Sequence, residues 1–210
     1  MKVKIKAFRG SLSAPTPLAK IFGVMLSTDI ACKILGAPKI PPKAEESVAP
    51  QIPPITKTGT EYILARGQGN ANTGDYALVV ATENNTDIFV NGNSTPVANI
   101  DKGAFYKVDI SGATGTPYYI STNKNSYVYH YCAQQTEEVG VSVLPPIDLI
   151  SGSKYLEFYN IDQTYDIAFV YITDAALATF KLRGALYSTY PNITVQSVTG
   201  KTGWNVVYIP

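Results

Sequence analysis

The side chains that could do chemistry are few. The one histidine, His130, stands in the stretch SYVYHYCA, two residues before Cys132. A Cys–His pair is the raw material of a thiolate nucleophile, in which the imidazole takes the thiol proton. If the stretch is a strand, Val128, His130 and Cys132 share one face and Tyr127, Tyr129 and Tyr131 the other. Side chains two apart on a strand sit about 7 Å from each other along the backbone, and no third group is evident to orient the ring. One histidine and two cysteines (Cys32 and Cys132) also fall short of the usual donor set for zinc. The two thiols read as free and buried. A single disulfide tying the N-terminal segment to the rest remains the alternative.

Carboxylates are scattered. Glu137 and Glu138 are adjacent and would point to opposite faces of an extended chain. Glu83 and Asp87 flank the turn ENNTD, whose oxygens could meet calcium, but the alternating acidic spacing of a calcium loop is missing. RGQGNANTG, residues 66–74, is rich in glycine, yet it joins two strands and opens no helix. It reads as a hairpin loop and not as a phosphate cradle. No catalytic residue, metal site or cofactor is expected, and the protein is read as non-enzymatic.

Tyrosine is what remains. The chain has 15 Tyr against 7 Phe and 1 Trp. Tyr118, Tyr119, Tyr127, Tyr129, Tyr131, Tyr155 and Tyr159 concentrate in its middle. Exposed tyrosine suits protein or sugar recognition, because an apolar ring carries a polar tip. Alternating tyrosine also serves to pack one sheet on another. Tyr127, Tyr129 and Tyr131 are therefore the candidate ligand-binding residues, for a protein or glycan on a host or cell surface. Asn84, Asn93 and Asn192 lie in N-x-S/T sequons, which matter only in a glycosylating secretory pathway.

These residues must be positioned by strands. The 210 residues hold 45% hydrophobic and 16% charged side chains, enough for a packed core without staples. From Ile55 onward, TEYILAR alternates, and YALVVAT is more continuously apolar, as in a strand covered on both faces. DIFVNG ends in Asn91-Gly92, a tight-turn signal. AFYKVDI, TPYYIST, SYVYHYCA and EVGVSVL follow as further strands. TDAALATFKL could form a helical turn, but strand is expected there from the repeat described below. No apolar run reaches the roughly 18 residues a membrane helix needs.

The first 50 residues differ. They hold eight basic residues against three acids, a net of +5, leaving −4 for the rest. Residues 1–36 read as a basic arm: a strand KVKIKAF, a Pro-broken loop, then a short helix over TDIACKILG. Residues 37–54, with six prolines, read as an extended connector. The start MKVKIKAFRG is basic like the head of a signal peptide. Its following apolar stretch, Ile21–Leu26, is short and preceded by Lys20, Pro15 and Pro17, so no convincing signal peptide is present. The arm lacks the dense basic run of a nucleic-acid binder. Lys2, Lys4, Lys6 and Arg9 are expected to dock on other protein subunits by strand addition. The alternative is that KVKIKAF adds an edge strand to its own body.

Two stretches resemble each other. PPI at Pro53 recurs at Pro145, Gly59 and Tyr62 match Gly152 and Tyr155, Ala77, Val79 and Thr82 match Ala168, Val170 and Thr173, and Phe89 matches Phe180. The expected fold is all-β, an antiparallel sandwich-like body of two similar units, 55–144 and a shorter 145–210, from an internal duplication.

Between about Pro53 and Asn160, GTEYILA, GDYALVVATENNTDIFVNG, AFYKVDI, YYISTNKNSYVYHY and LPPI occur in the order seen in the N-terminal domain family of IgGFc-binding proteins, which this stretch resembles. The resemblance implies a surface β-domain that binds or adheres without catalysis, and it transfers no antibody-contact residue. Two settings follow, both outside the cytoplasm: a bacterial cell-surface adhesin, which the resemblance favours, or a virion component of capsid-decorating or spike type, which the lack of a signal peptide favours.

Overall fold

In the computed structural model, which describes residues 2–6, 21–25, 53–69, 74–135, 137–148, 153, 155–159 and 167–210, β-branched and aromatic runs form strands and Asn/Gly pairs form turns. The N-terminal segment supplies β1 (Lys2–Lys6) and β2 (Ile21–Met25). Next come β3 (Gly59–Ala65), β4 (Gln68–Gly69), β5 (Asp75–Ala81) and β6 (Thr86–Val90). β7 (Ala98–Ile100), β8 (Phe105–Ile110), β9 (Pro117–Gln135) and β10 (Glu137–Val143) complete the first half. β11 (Tyr155–Tyr159) and β12 (Ala168–Thr173) lead to one helical turn, α1 (Asp174–Leu177). β13 (Lys181–Leu182), β14 (Ala185–Leu186), β15 (Thr194–Ser197) and β16 (Trp204–Ile209) end the chain. The fold is all-β with antiparallel sheets; only the two-residue β4 pairs in parallel, with β9.

β9 organises the first half. TPYYIST and SYVYHYCA, expected as separate strands, are one continuous strand of 19 residues. Its first part lies between β3 (Ile63 opposite Tyr119) and β6 (Val90 opposite Ile120). Its second part lies between β5 (Leu78 opposite Tyr129) and β10 (Val143 opposite Tyr129). At the change of partners, the Thr122 and Ser126 hydroxyls both donate to the Lys124 carbonyl, at 2.7 and 3.2 Å. One strand thus serves two layers: layer A, β3-β9-β6-β7, and layer B, β10-β9-β5-β8. Their apolar faces close on each other, Tyr62, Leu64, Ile88 and Ile120 meeting Ala77, Val79, Val108 and Val128.

The β3 and early β9 part of layer A is buried on its second face too. Ile63, Ala65 and Tyr119 pack against Phe169, Tyr171, Val198 and Val206 of the second half, and Tyr171 Oη accepts the Ala65 N–H at 3.2 Å. Two expectations exchange places here. TEYILAR, which alternates in sequence, is the strand covered on both faces, with Tyr62 through Ala65 all buried. YALVVAT, which is almost continuously apolar, buries only Ala77, Val79 and Ala81 and leaves Tyr76, Leu78 and Val80 half-exposed.

In the second half the order is β15-β16-β12-β2, with a further sheet β11-β1-β13-β14. Val170, Ile172 and Val207 face Ala176, Phe180 and Leu182 in a separate core. Asp174–Leu177, expected as strand, is helical: alanine and leucine are strong helix formers, and Asn205 Nδ2 donates to Asp174 Oδ1 at 2.6 Å at the start of the turn. The likeness of the halves does not extend to strand order, so the pairings do not show an internal duplication. β5 lies between β8 and β9, whereas its sequence counterpart β12 lies between β16 and β2. Phe180 is fully buried, but Phe89 is only half-buried.

The described strands of the basic segment pair within their own chain. β1 runs between β11 and β13, Ile5 facing Leu156 on one side and Leu182 on the other. Lys2, Lys4 and Lys6 thus sit on a strand paired within the molecule, where an arm reaching another subunit was expected. Ile21–Met25, read from sequence as part of a Pro-broken loop, is a strand beside β12. Arg9, the helix expected over 28–36, the connector up to residue 52 and Cys32 lie outside the described residues.

Two further contacts fasten the halves together. The Glu61 carboxylate accepts Lys201 Nζ on both oxygens at 2.6 Å and the Tyr119 hydroxyl at 2.6 Å. The Asn91-Gly92 turn, with φ of +53° and +74°, lies directly against Gly200. A Cβ at Gly200 would stand 2.3 Å from both Asn91 C and Gly92 N, and its φ is +81°. Gly200→Ala is therefore expected to lower the unfolding free energy by about 2–4 kcal/mol, left-handed strain plus overpacking. Urea unfolding measures it, and a loss under about 0.5 kcal/mol, the size of an ordinary surface substitution, would contradict the contact.

Candidate functional site

The outer face of layer B is a broad sheet face on which the described residues place no further layer. Alternation along β5, β8 and β9 puts one set of side chains in the core and the other set outside. The register arranges the outer set in rows: Phe105, Val80, Tyr127; then Lys107, Leu78, Tyr129, Val143; then Asp109, Tyr76, Tyr131, Val141. Tyr76, Leu78, Val80, Tyr127, Tyr129 and Tyr131 are half-buried. Phe105, at 65% exposure, is the most exposed large apolar side chain among the described residues.

The rows hold one another in place. Tyr76 and Tyr131, directly opposite across β5 and β9, stack with centroids 4.4 Å apart and planes 13° from parallel. Tyr127 and Tyr129 tilt together at 6.4 Å. Lys107 Nζ stands 4.7 Å from the Tyr76 ring centre and 2.8 Å from Asp109 Oδ1. The bond to Asp109 holds the Lys107 ammonium above its ordinary range. Partial burial raises the Tyr76 and Tyr129 phenols, so both stay neutral and keep a proton to donate. Tyr127 turns its hydroxyl to the Pro53 carbonyl at 2.9 Å. It borders a cavity of about 290 Å³ lined also by Tyr62, Leu144, Pro145 and Pro146, with Lys57 at its wall.

The candidate residues Tyr127, Tyr129 and Tyr131 therefore come together on one half-buried face, and among the described residues no second sheet packs on it. Sequence reasoning missed their neighbours Tyr76, Phe105, Lys107 and Asp109. The signal was present in the alternation of AFYKVDI and GDYALVV, but it becomes readable only once those strands are paired with β9.

The other candidates serve the fold. His130 is fully buried, and its Nε2 lies 3.7 Å from Asp75 Oδ2, whose side chain is equally inaccessible. Asp75 also accepts the Gly67 N–H, so this pair anchors the RGQG loop inside the protein. In the ENNTD loop the side-chain oxygens of Asp87 and Asn84 take protein partners. Asp87 accepts from Asn99 and Asn123 side chains at 2.7 and 2.8 Å, and Asn84 Oδ1 accepts the Lys102 N–H at 3.1 Å. Among the described residues no group of three or more His, Cys, Asp or Glu could hold a metal ion, and no helix is long and apolar enough to cross a membrane.

A model of the family described as IgGFc binding protein matches residues 28–209. The match reaches further in both directions than the resemblance over residues 53–160, and it takes in the whole second half. No curated protein and no solved structure matches the chain.

The buried phenols of layer A give a pH dependence of defined sign. Burial first of all raises Tyr62 and Tyr119 above the ordinary phenol value of 10.0. The unfolded chain then releases protons that the folded chain keeps, so their contribution is intact below pH 10.0 and is lost as pH rises through the folded values. Unfolding free energy should fall above that pH, and Tyr62→Phe should remove about one proton, about 1.4 kcal/mol per pH unit, from the slope. Chemical denaturation at a series of alkaline pH values reads it; an unchanged slope would refute the assignment.

Proposed function

The chain belongs to the IgGFc-binding protein family, and from that premise we propose that it is a protein-binding module of an extracellular surface, with the tyrosine face of layer B as its contact surface. The observation that carries the reading is the asymmetry of burial. The β3 and early β9 part of layer A and β12 are covered on both faces, whereas layer B spends six aromatic and aliphatic side chains on a half-exposed face. An apolar centre of rigid tyrosines with charges at its border has the make-up of a protein-interaction hot spot.

The ring geometry supports a protein over a glycan. A sugar needs a flat ring face to stack on; Tyr76 and Tyr131 already cover one face of each other, and Lys107 Nζ stands over the Tyr76 ring. What they present outward is ring edges and hydroxyls, suited to backbone carbonyls and apolar side chains of a partner. Family membership supports the extracellular setting and an adhesive role. No nucleophile is placed against a base on this face, so the reading is one of binding and not of turnover.

The test is a binding screen of the full chain against a panel of secreted and surface proteins, immunoglobulin included. The wild-type chain should bind a panel member with micromolar affinity or better. The double variant Phe105→Ala, Tyr129→Ala should bind at least about tenfold more weakly, the usual consequence of truncating hot-spot aromatics, with an unchanged melting curve. Equal binding by both would remove the face from consideration, and no binding to any panel member would count against the protein-binding reading itself.

A further inference from the structure

Layer B ends in an open edge. Among the described residues β8 is hydrogen-bonded on one side only, to β5. The phase of that ladder fixes which backbone groups face outward. Ala81 N–H donates to the Ala104 carbonyl at 3.1 Å, and the same register continues without a bulge through Val80–Phe105 to Asp75–Ile110. In an antiparallel ladder the bonded pairs recur every second residue. Tyr106, Val108 and Ile110 therefore turn their N–H and C=O groups toward β5, and Phe105, Lys107 and Asp109 turn theirs to the open side. The side chains at the edge are exposed as well, Lys107 at 54% and Asp109 at 79%.

We propose that this edge pairs with the same edge of a second copy of the chain, antiparallel, about a two-fold axis through Val108. Pairing of two identical edges must match outward residues with outward residues, and registers that pair at least three residues of each strand are centred on residues 106, 107, 108 and 109. Centring on 106 sets Lys107 against the partner's Phe105. Centring on 107 sets Lys107 against the partner's Lys107, and centring on 109 sets Asp109 against the partner's Asp109. Only the register centred on Val108 sets Lys107 against the partner's Asp109, and by symmetry it does so twice. Opposite charges directly across a ladder stabilise it and like charges oppose it, so the charge pattern selects one register of four.

A lone lysine on an edge strand guards it against pairing. Here the guard carries its own complement two residues on, and the 2.8 Å bond between Lys107 and Asp109 within the strand shows the two groups to be within reach of each other. Exchanging the two bonds, one from each copy, for two equivalent ones across the axis conserves charge pairing while satisfying the edge's backbone groups. The result is a closed, isologous dimer, and it sets the tyrosine faces of two copies side by side on one continuous sheet. The pairing rests on backbone phase and charge, and not on what the tyrosines bind.

Sedimentation equilibrium of the full chain over a concentration series up to about 1 mM tests it. The wild-type chain should show a monomer–dimer equilibrium. Lys107→Asp alone and Asp109→Lys alone should each weaken association at least about tenfold, by setting like charges opposite, and the double exchange should restore it to within about threefold. Tyr131→Ala should leave association unchanged. Melting curves by circular dichroism confirm that each variant is folded. A wild-type chain that stays monomeric throughout, single variants that associate like the wild type, or a folded double exchange that stays monomeric would each overturn the proposal.

Discussion

A strand the length of β9 cannot cross a domain of this size in a straight line. Its 19 residues would span about 60 Å at roughly 3.3 Å per residue. A compact chain of 210 residues has a radius of gyration near 17 Å, about 2.2·N^0.38. The strand must therefore turn, and the turn decides the architecture. Its first part takes β3 and β6 as neighbours, its second part β5 and β10, and the two resulting layers fold onto a shared core. Polar residues make the turn tolerable: Thr122, Ser126 and Thr82 donate to the carbonyls of Lys124 and Asn125, which lie outside the regular ladder.

The burial of every other element follows from that turn. Layer A is left between the core it shares with layer B and the second half, so β3 has no solvent face and both Tyr62 and Ile63 are buried. Such a middle layer needs polar side chains at its rim that can be satisfied across the seam. Glu61 does this, taking Lys201 from one side and Tyr119 from the other. The seam also requires two turns to meet backbone to backbone, which glycine alone permits at Gly92 and Gly200. Layer B has no such third layer among the described residues, and its outer face is where the tyrosines are.

The strand content was legible because β-branched and aromatic runs bounded by Asn-Gly and Asn-Asn turns have few alternatives. Asn85, Asn91 and Gly92 do take positive φ. The layer assignment was not legible, since hydrophobicity along one strand cannot report what a distant segment covers. TEYILAR buries its polar-looking alternation because Phe169 and Tyr171 arrive from about a hundred residues away. YALVVAT exposes apolar side chains because nothing described arrives. The repeat misled for a related reason. Shared Pro-Pro-Ile and Gly-x-x-Tyr signals specify local turns and strand starts, but pairing partners are set by long-range packing, and β12 has β2 beside it where β5 has β8. The shared face of Tyr127, Tyr129 and Tyr131 was legible because a period of two along β9 needs no partner to be read. Their companions Phe105, Lys107 and Asp109 required one.

Stiffness is what makes the open face suited to recognition. Binding must offset the entropy of ordering side chains, about 0.5–1.5 kcal/mol for each rotamer-rich group immobilised. Tyrosine has two torsions to fix, and here they are restrained beforehand: Tyr76 by Tyr131 and Lys107, Tyr127 by the Pro53 carbonyl. The backing is equally firm, because the inward side chains of the same strands, Ala77, Val79, Val108 and Val128, are in the core. A partner arriving at this face would meet rings whose positions are already set, and partial burial raises the phenols of Tyr76 and Tyr129. Layer A could not offer the same surface, since its outer side chains are committed to holding the two halves together. The division of labour between the layers thus follows from one bent strand: one layer carries the seam, and the other is free to carry the contact.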